Sequence, residues 1–181
     1  MAARCTTVVL AAMALAAMAA VALSAVEPKE AGAAVDTETV RTCDGGSIVL
    51  EPNERRALAL HNQARRSYGL RPLCVDPVLT AAARTHSARM IQLDLFAHGD
   101  VGARLTRHGY EWLTYGENIA GGYGYYASSP DNIFDMWMAS PGHHANIVNG
   151  SFEEVGIGTA TGEYYGITGY TMYTADFGTQ R

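Results

Sequence analysis

The spacing of apolar residues in this chain switches from a helical period early on to a strand period near its end, and few architectures accept that order. Leu60, Ala64 and Tyr68 recur every four residues. A helix is therefore predicted from about Asn53, a capping residue followed by acidic Glu54, to Tyr68, with Gly69 suited to the position just past its end. Asp76 followed by Pro77 makes a cap and first-turn pair, and Leu79, Ala82, Ala83, His86, Met90 and Leu93 then fall on one stripe of a second helix. Ser129-Pro130 opens a third helix in the same way. It buries Ile133, Phe134 and Trp137, the last as a core anchor, and stops near Ser140-Pro141-Gly142. After it, Val155 and Ile157 alternate with Gly156 and Gly158, Thr161-Gly162 reads as a turn, and β-branched and aromatic residues run from Thr171 to Phe177. Tyr115 to Ala120 reads as one more strand. Helices first and strands later predict a compact α+β domain, with helices covering an antiparallel sheet.

What precedes those elements bears on where the chain works. Arg4 and then a nearly unbroken run of Ala, Val, Leu and Met from Val8 to Val26 read as a secretory signal peptide over residues 1–25, with small-x-small processing sites at Ala20/Ala22 and Ala22/Ser24. The other reading is an uncleaved anchor, since these nineteen residues nearly suffice to span a bilayer. The Ala-rich composition and the processing sites favour cleavage, so a secreted protein with no stable membrane span is expected. Cys5 precedes the apolar run, whereas a lipid-anchor cysteine would follow it. Residues 26–50 carry no sustained period and read as a linker and N-terminal arm, and residues 51–181 as the folded domain. The net charge of −5 argues against a nucleic-acid partner and leaves no polybasic patch for an anionic membrane. With Cys5 in the leader, Cys43 and Cys74 are an even pair in an exported chain, and a disulfide is the natural reading. It would be worth roughly 3–4 kcal/mol in the chain-entropy model. Two unrelated thiols are the other reading.

Four strings carry a family resemblance: HNQAR (61–65), FAHG (96–99), YGENIA (115–120) and WMASPGHHANI (137–147). In this order, together with LRPLCVDPVLTAAARTHSARM (70–90) and DFG (176–178), they resemble the CAP superfamily of cysteine-rich secretory, antigen 5 and pathogenesis-related proteins, and its bacterial branch in particular. The resemblance covers about residues 50–178. It implies a three-layer α-β-α sandwich with a cleft holding two histidines and two acidic residues, a set that binds a divalent metal in some members. Carried onto this chain, the histidines are His98 and His143 and the first acid is Glu117; the second acidic position is Ser140, so one ligand is missing. Asp135 substitutes only if its helical face points into the cleft. Two imidazoles and a carboxylate suit zinc and leave room for water; the competing reading is that His98 and His143 only hydrogen-bond across the cleft, with Glu117 fixing their tautomers.

The remaining histidines read differently. His61 and Asn62 are expected as a satisfied polar pair under the core, His86 as core, His108 as a loop residue, and His144 as a surface group or an extra ligand. There is no HExxH and no GxSxG, and nothing marks an oxyanion hole near Ser140, so no catalytic residue is named. Tyrosines 123, 125, 126, 164 and 165 suggest aromatic loops that edge a groove, or ordinary packing. Two functions follow. The first is a secreted binding or effector module for a lipid- or sterol-like ligand or an extracellular macromolecule. The second is a metal-dependent, protease-like hydrolase built on His98, Glu117 and His143.

Overall fold

The computed structural model describes residues 38–181, so the signal peptide and the start of the linker lie outside the described residues. The arm is a small antiparallel hairpin of β1 (Glu38–Arg41) and β2 (Ser47–Leu50). The Cys43–Cys74 disulfide fastens it to the domain, with the two Cα atoms 5.2 Å apart.

The first helix, α1 (Pro52–Ser67), begins one residue earlier than its spacing suggested, because Glu51 and Glu54 form a reciprocal cap. Its buried face is also rotated from the Leu60–Ala64–Tyr68 stripe. The residues turned inward are Glu54, Ala57, His61 and Arg65, while Tyr68 is 54% exposed. A polar stripe can be buried when its charged groups find partners. Glu54 receives Arg84, and Arg65 donates to the carbonyls of Arg71, Ile147, Asn149 and Phe152. Asn62 bonds both the N–H and the C=O of Leu73.

The second helix, α2 (Pro77–Gln92), follows β3 (Cys74–Val75) and forms as its sequence dictates except at its end, where Leu93 caps the helix and is exposed instead of continuing the buried stripe. Asp76 caps the N–H of Leu79, and Leu79, Ala82, Ala83, His86 and Met90 are buried. Next come α3 (Val101–His108), β4 (Trp112–Tyr123), the short α4 (Gly124–Ala127), α5 (Pro130–Ala139) and α6 (Pro141–Ile147). The fold closes with β5 (Glu154–Tyr164) and β6 (Ile167–Gln180). α3 was not foreseen, and it makes His108 the last residue of a helix instead of a loop residue. The Pro141-Gly142 segment is likewise helical, with Pro141 in its first turn. The turn expected at Thr161-Gly162 lies instead at Tyr165-Gly166, where φ is 46° and 77°. Positive φ at both central residues matches the twist of a two-residue hairpin.

The sheet order is β3-β5-β6-β4, antiparallel except for the two-residue β3, which runs parallel to β5. Alternation along the strands sorts two faces. Val155, Ile157, Tyr173, Ala175 and Phe177 pack with Ala57 of α1, Ile133, Phe134 and Trp137 of α5, and Ile147 of α6. Met172 meets Met90 of α2 on the opposite face, where Ser87 of α2 also bonds Thr174. Helices on both faces make the three-layer α-β-α sandwich. Trp137 is 1% exposed, and its indole N–H donates to the carbonyl of Ile119 at 3.1 Å.

His61 lies at the centre of the first core face, edge-on to Phe134 and Trp137. Its Nδ1 donates to the Ala57 carbonyl at 2.7 Å, and its Nε2 has no hydrogen-bond partner among the described residues. Burial pushes this imidazole down to about 4 from 6.5. The unfolded chain takes up the proton near pH 6.5 and the folded chain only near 4, so His61 removes stability as pH falls between those values. The slope is up to about 1.4 kcal/mol per pH unit. His61→Gln should therefore lose less stability than the parent between pH 7 and 5 in urea titrations. Equal losses in the two proteins would show that His61 is not held neutral.

Candidate functional site

The three expected site residues come from different layers. His98 lies between α2 and α3, Glu117 is on β4, and His143 is in the first turn of α6. β4 is an edge strand, and a cleft of about 660 Å³ straddles it. The cleft is lined by Ile119, Ala120 and Gly121 of β4, by Phe96 and His98 from the loop after α2, by Met136, Trp137, Ser140 and His143 from α5 and α6, and by Tyr164 and Tyr170. His143 is fixed through its backbone: Asn118 donates to its carbonyl at 3.0 Å, and Asn146 ties α6 to the Glu117 carbonyl and to Asn118.

Glu117 does not stand free. Its Oε1 bonds His98 Nδ1 at 2.7 Å, and its Oε2 is held by the Arg104 guanidinium. Arg104 also donates to the His98 carbonyl at 2.9 Å and approaches Asp176 at 3.4 Å. Arg104 thus sets both the backbone and the carboxylate partner of His98. His86 Nε2 lies 3.8 Å from Glu117. Burial pushes Glu117 up to about 7 against the pull of Arg104. Burial and the neighbouring Glu117 carry Asp176 well above the usual carboxylate range. The two acids therefore favour holding a proton between them. Burial first, then positive Arg104, lowers His98; burial, then His98, lowers His143. Both cleft imidazoles are thereby biased toward the neutral form.

This donor set bears on the metal expected from the resemblance. His98, Glu117 and His143 do not bring three ligand atoms within 4.8 Å of one another. Both Glu117 oxygens are engaged, and one of them by a cation. A divalent ion in this cleft would have His98 Nε2 and a ring nitrogen of His143 as its candidate ligands, with Glu117 behind His98 as the carboxylate that would orient the imidazole. Ser140 lines the same cleft and puts a hydroxyl at the position of the family's second acid. Asp135 is exposed and is not part of the cleft wall. His144 bonds the Tyr68 hydroxyl at 3.0 Å, on the α1 side.

Arg104 and Asp176 escaped the sequence reading. Asp176 was in view only as part of the DFG string. The signal for α3, and so for Arg104, was Asp100 as its cap and Gly109 as its left-handed end, at φ 92°.

Comparison with known proteins agrees with the fold. Residues 58–177 match the profile of the cysteine-rich secretory protein family, CAP. The uncharacterized protein YkwD of Bacillus subtilis is 30% identical over 131 residues, covering 70% of this chain and 49% of that protein. Among solved structures, an extracellular protein containing a SCP domain from Bacillus anthracis superposes with TM-score 0.60 at 28% identity, over 71% of this chain and 40% of that one. An outer surface protein of Borrelia burgdorferi superposes with TM-score 0.61 over 80% of this chain and 99% of that one; at 15% identity it speaks for the fold alone. The chain thus spans about half the length of the curated relative it matches.

Proposed function

The chain belongs to the cysteine-rich secretory protein (CAP) family, and we propose that it is an exported binding module whose cleft takes a single-chain amphiphile. The observation that carries this reading is the division of the cleft wall. Phe96, Ile119, Met136 and Trp137 offer an apolar trough, and His98, Ser140 and His143 add polar side chains to its wall. A trough of this volume suits an acyl chain, and two imidazoles with a hydroxyl suit a polar head group. A neutral His143 can donate to a carboxylate or phosphate oxygen through N–H, and His98, whose Nδ1 faces Glu117, has its Nε2 to offer to a divalent ion that bridges to such a head group. Export is supported by the apolar leader and by the extracellular description of the Bacillus anthracis relative.

The test is displacement of a fluorescent fatty-acid probe from the full-length chain lacking its leader. The wild type should bind the probe, and unlabelled fatty acid should compete. Met136 is 49% exposed, so Met136→Glu places a charge in the trough with little risk to the fold. That variant should bind at least about tenfold more weakly, the equivalent of 1.4 kcal/mol. A wild-type protein that leaves the probe's emission unchanged would reject the amphiphile.

A further inference from the structure

Away from the cleft, the described residues hold one place where three metal-ligating side chains meet. Cys43, Cys74 and Glu154 present ligand atoms that all lie within 4.8 Å of one another. In the oxidised protein the two sulfurs are bonded to each other and the carboxylate stands beside them. We propose that in the reduced protein these three side chains form a zinc site completed by water, so that the N-terminal arm stays fastened to the sheet in either redox state.

The frame of this site does not depend on the sulfur–sulfur bond. The N–H of Cys43 donates to the Val75 carbonyl at 2.9 Å, and the N–H of Cys74 to the Glu153 carbonyl at 3.0 Å. Thr42 pairs with Val75, and Cys74 stands in register with Glu154 on the neighbouring strand. Breaking the disulfide therefore leaves Cys43 bonded to β3 and Cys74 bonded beside β5. Their Cα atoms are 5.2 Å apart, and side-chain rotation alone can open the sulfurs around an ion.

The carboxylate is oriented as a ligand would be. The Tyr110 hydroxyl donates to Glu154 Oε2 at 2.5 Å, and Gln180 Nε2 reaches both oxygens at 3.3 Å. Outer hydrogen bonds of this kind fix a metal-bound carboxylate. Oε1 takes only the Gln180 contact among the described residues, which leaves it a lone pair for a cation. Two thiolates and one carboxylate suit zinc in particular, because its borderline softness accepts both sulfur and oxygen.

The chemistry balances with a dithiol as reductant. The dithiol gives two electrons and two protons to the disulfide and leaves as its own cyclic disulfide. Zinc binding then displaces one proton from each cysteine to solvent.

The experiment uses the full chain without its leader, reduced with dithiothreitol, desalted under argon and titrated with cobalt(II), a spectroscopic stand-in for zinc. One equivalent should give a thiolate-to-cobalt charge-transfer band that zinc abolishes. Oxidised protein, Cys43→Ser and Cys74→Ser should show no such band. Glu154→Gln should bind at least about tenfold more weakly. His98→Ala/His143→Ala should keep the band, which separates this site from any ion in the cleft. Absence of the band in reduced wild type, or equal affinity in Glu154→Gln, would overturn the proposal. If the reduced chain unfolds without metal, zinc must restore its near-ultraviolet dichroism, and failure to do so would overturn it equally.

Discussion

Replacing Arg65 with methionine should leave no folded protein at room temperature. The side chain is 2% exposed, and its guanidinium donates to four main-chain carbonyls: Arg71 at 2.9 Å, Ile147 at 3.0 Å, Asn149 at 2.8 Å and Phe152 at 2.9 Å. These acceptors belong to the segment after α1, to the last residue of α6 and to the chain between α6 and β5, none of which has strand partners there. The bonds to Ile147 and Phe152 are fully buried, and each of those carbonyls left without a donor costs about 1–3 kcal/mol; the bonds to Arg71 and Asn149 are partly buried and add less. The total rivals the roughly 5–15 kcal/mol by which a domain of this size is stable. Arg65→Lys should fail nearly as badly, because an ammonium group cannot reproduce the planar fork that reaches acceptors in several directions. Circular dichroism and soluble yield measure the effect. A methionine variant with a native near-ultraviolet spectrum and an unchanged urea midpoint would show that these segments are held by other means.

Gly158→Ala should cost more than about 3 kcal/mol, beyond the usual range for overpacking. A Cβ added there would lie 2.1 Å from the Arg84 nitrogen and 2.3 Å from the Ala83 carbonyl carbon. Those atoms are the backbone of α2, which cannot turn aside as a side chain can. Gly156 meets α2 in the same way, with Leu79 C at 2.0 Å. The bare strand is what lets the helix lie directly on the sheet. Gly142→Ala is the control: an added Cβ meets nothing within 4 Å. It should be neutral or gain up to about 1 kcal/mol through the unfolded chain. Chemical denaturation of the three proteins checks this, and a Gly158 variant as stable as the control would mean that α2 shifts at no cost.

These two positions also show where sequence reading reached its limit. The helices begin where Asp-Pro and Ser-Pro pairs announce them, because capping and a fixed φ act within a few residues. The buried face of α1 was misjudged because apolar spacing was the guide, whereas Glu54, His61 and Arg65 are buried through partners far along the chain, such as Arg84 and Phe152. Gly156 and Gly158 were legible as strand residues, but the reason for glycine lies in a helix more than seventy residues away. At Gly162 the same pressure comes from Ile91, and the strand bulges there instead of turning. Within the site, His98, Glu117 and His143 were visible through local strings. Arg104, which holds Glu117 and the His98 backbone together, carries no string of its own and is found only once α3 is laid against β4.

The way β4 is closed off has a consequence for how copies of this protein behave together. A twelve-residue rim of unpaired peptide groups would be a template on which a second molecule could zip itself strand to strand. Here the Ile119 carbonyl is plugged by the Trp137 indole and the Glu117 carbonyl by the Asn146 amide. At these two positions side-chain donors from α5 and α6 occupy the edge, so an incoming strand cannot run a continuous ladder along β4 without displacing them.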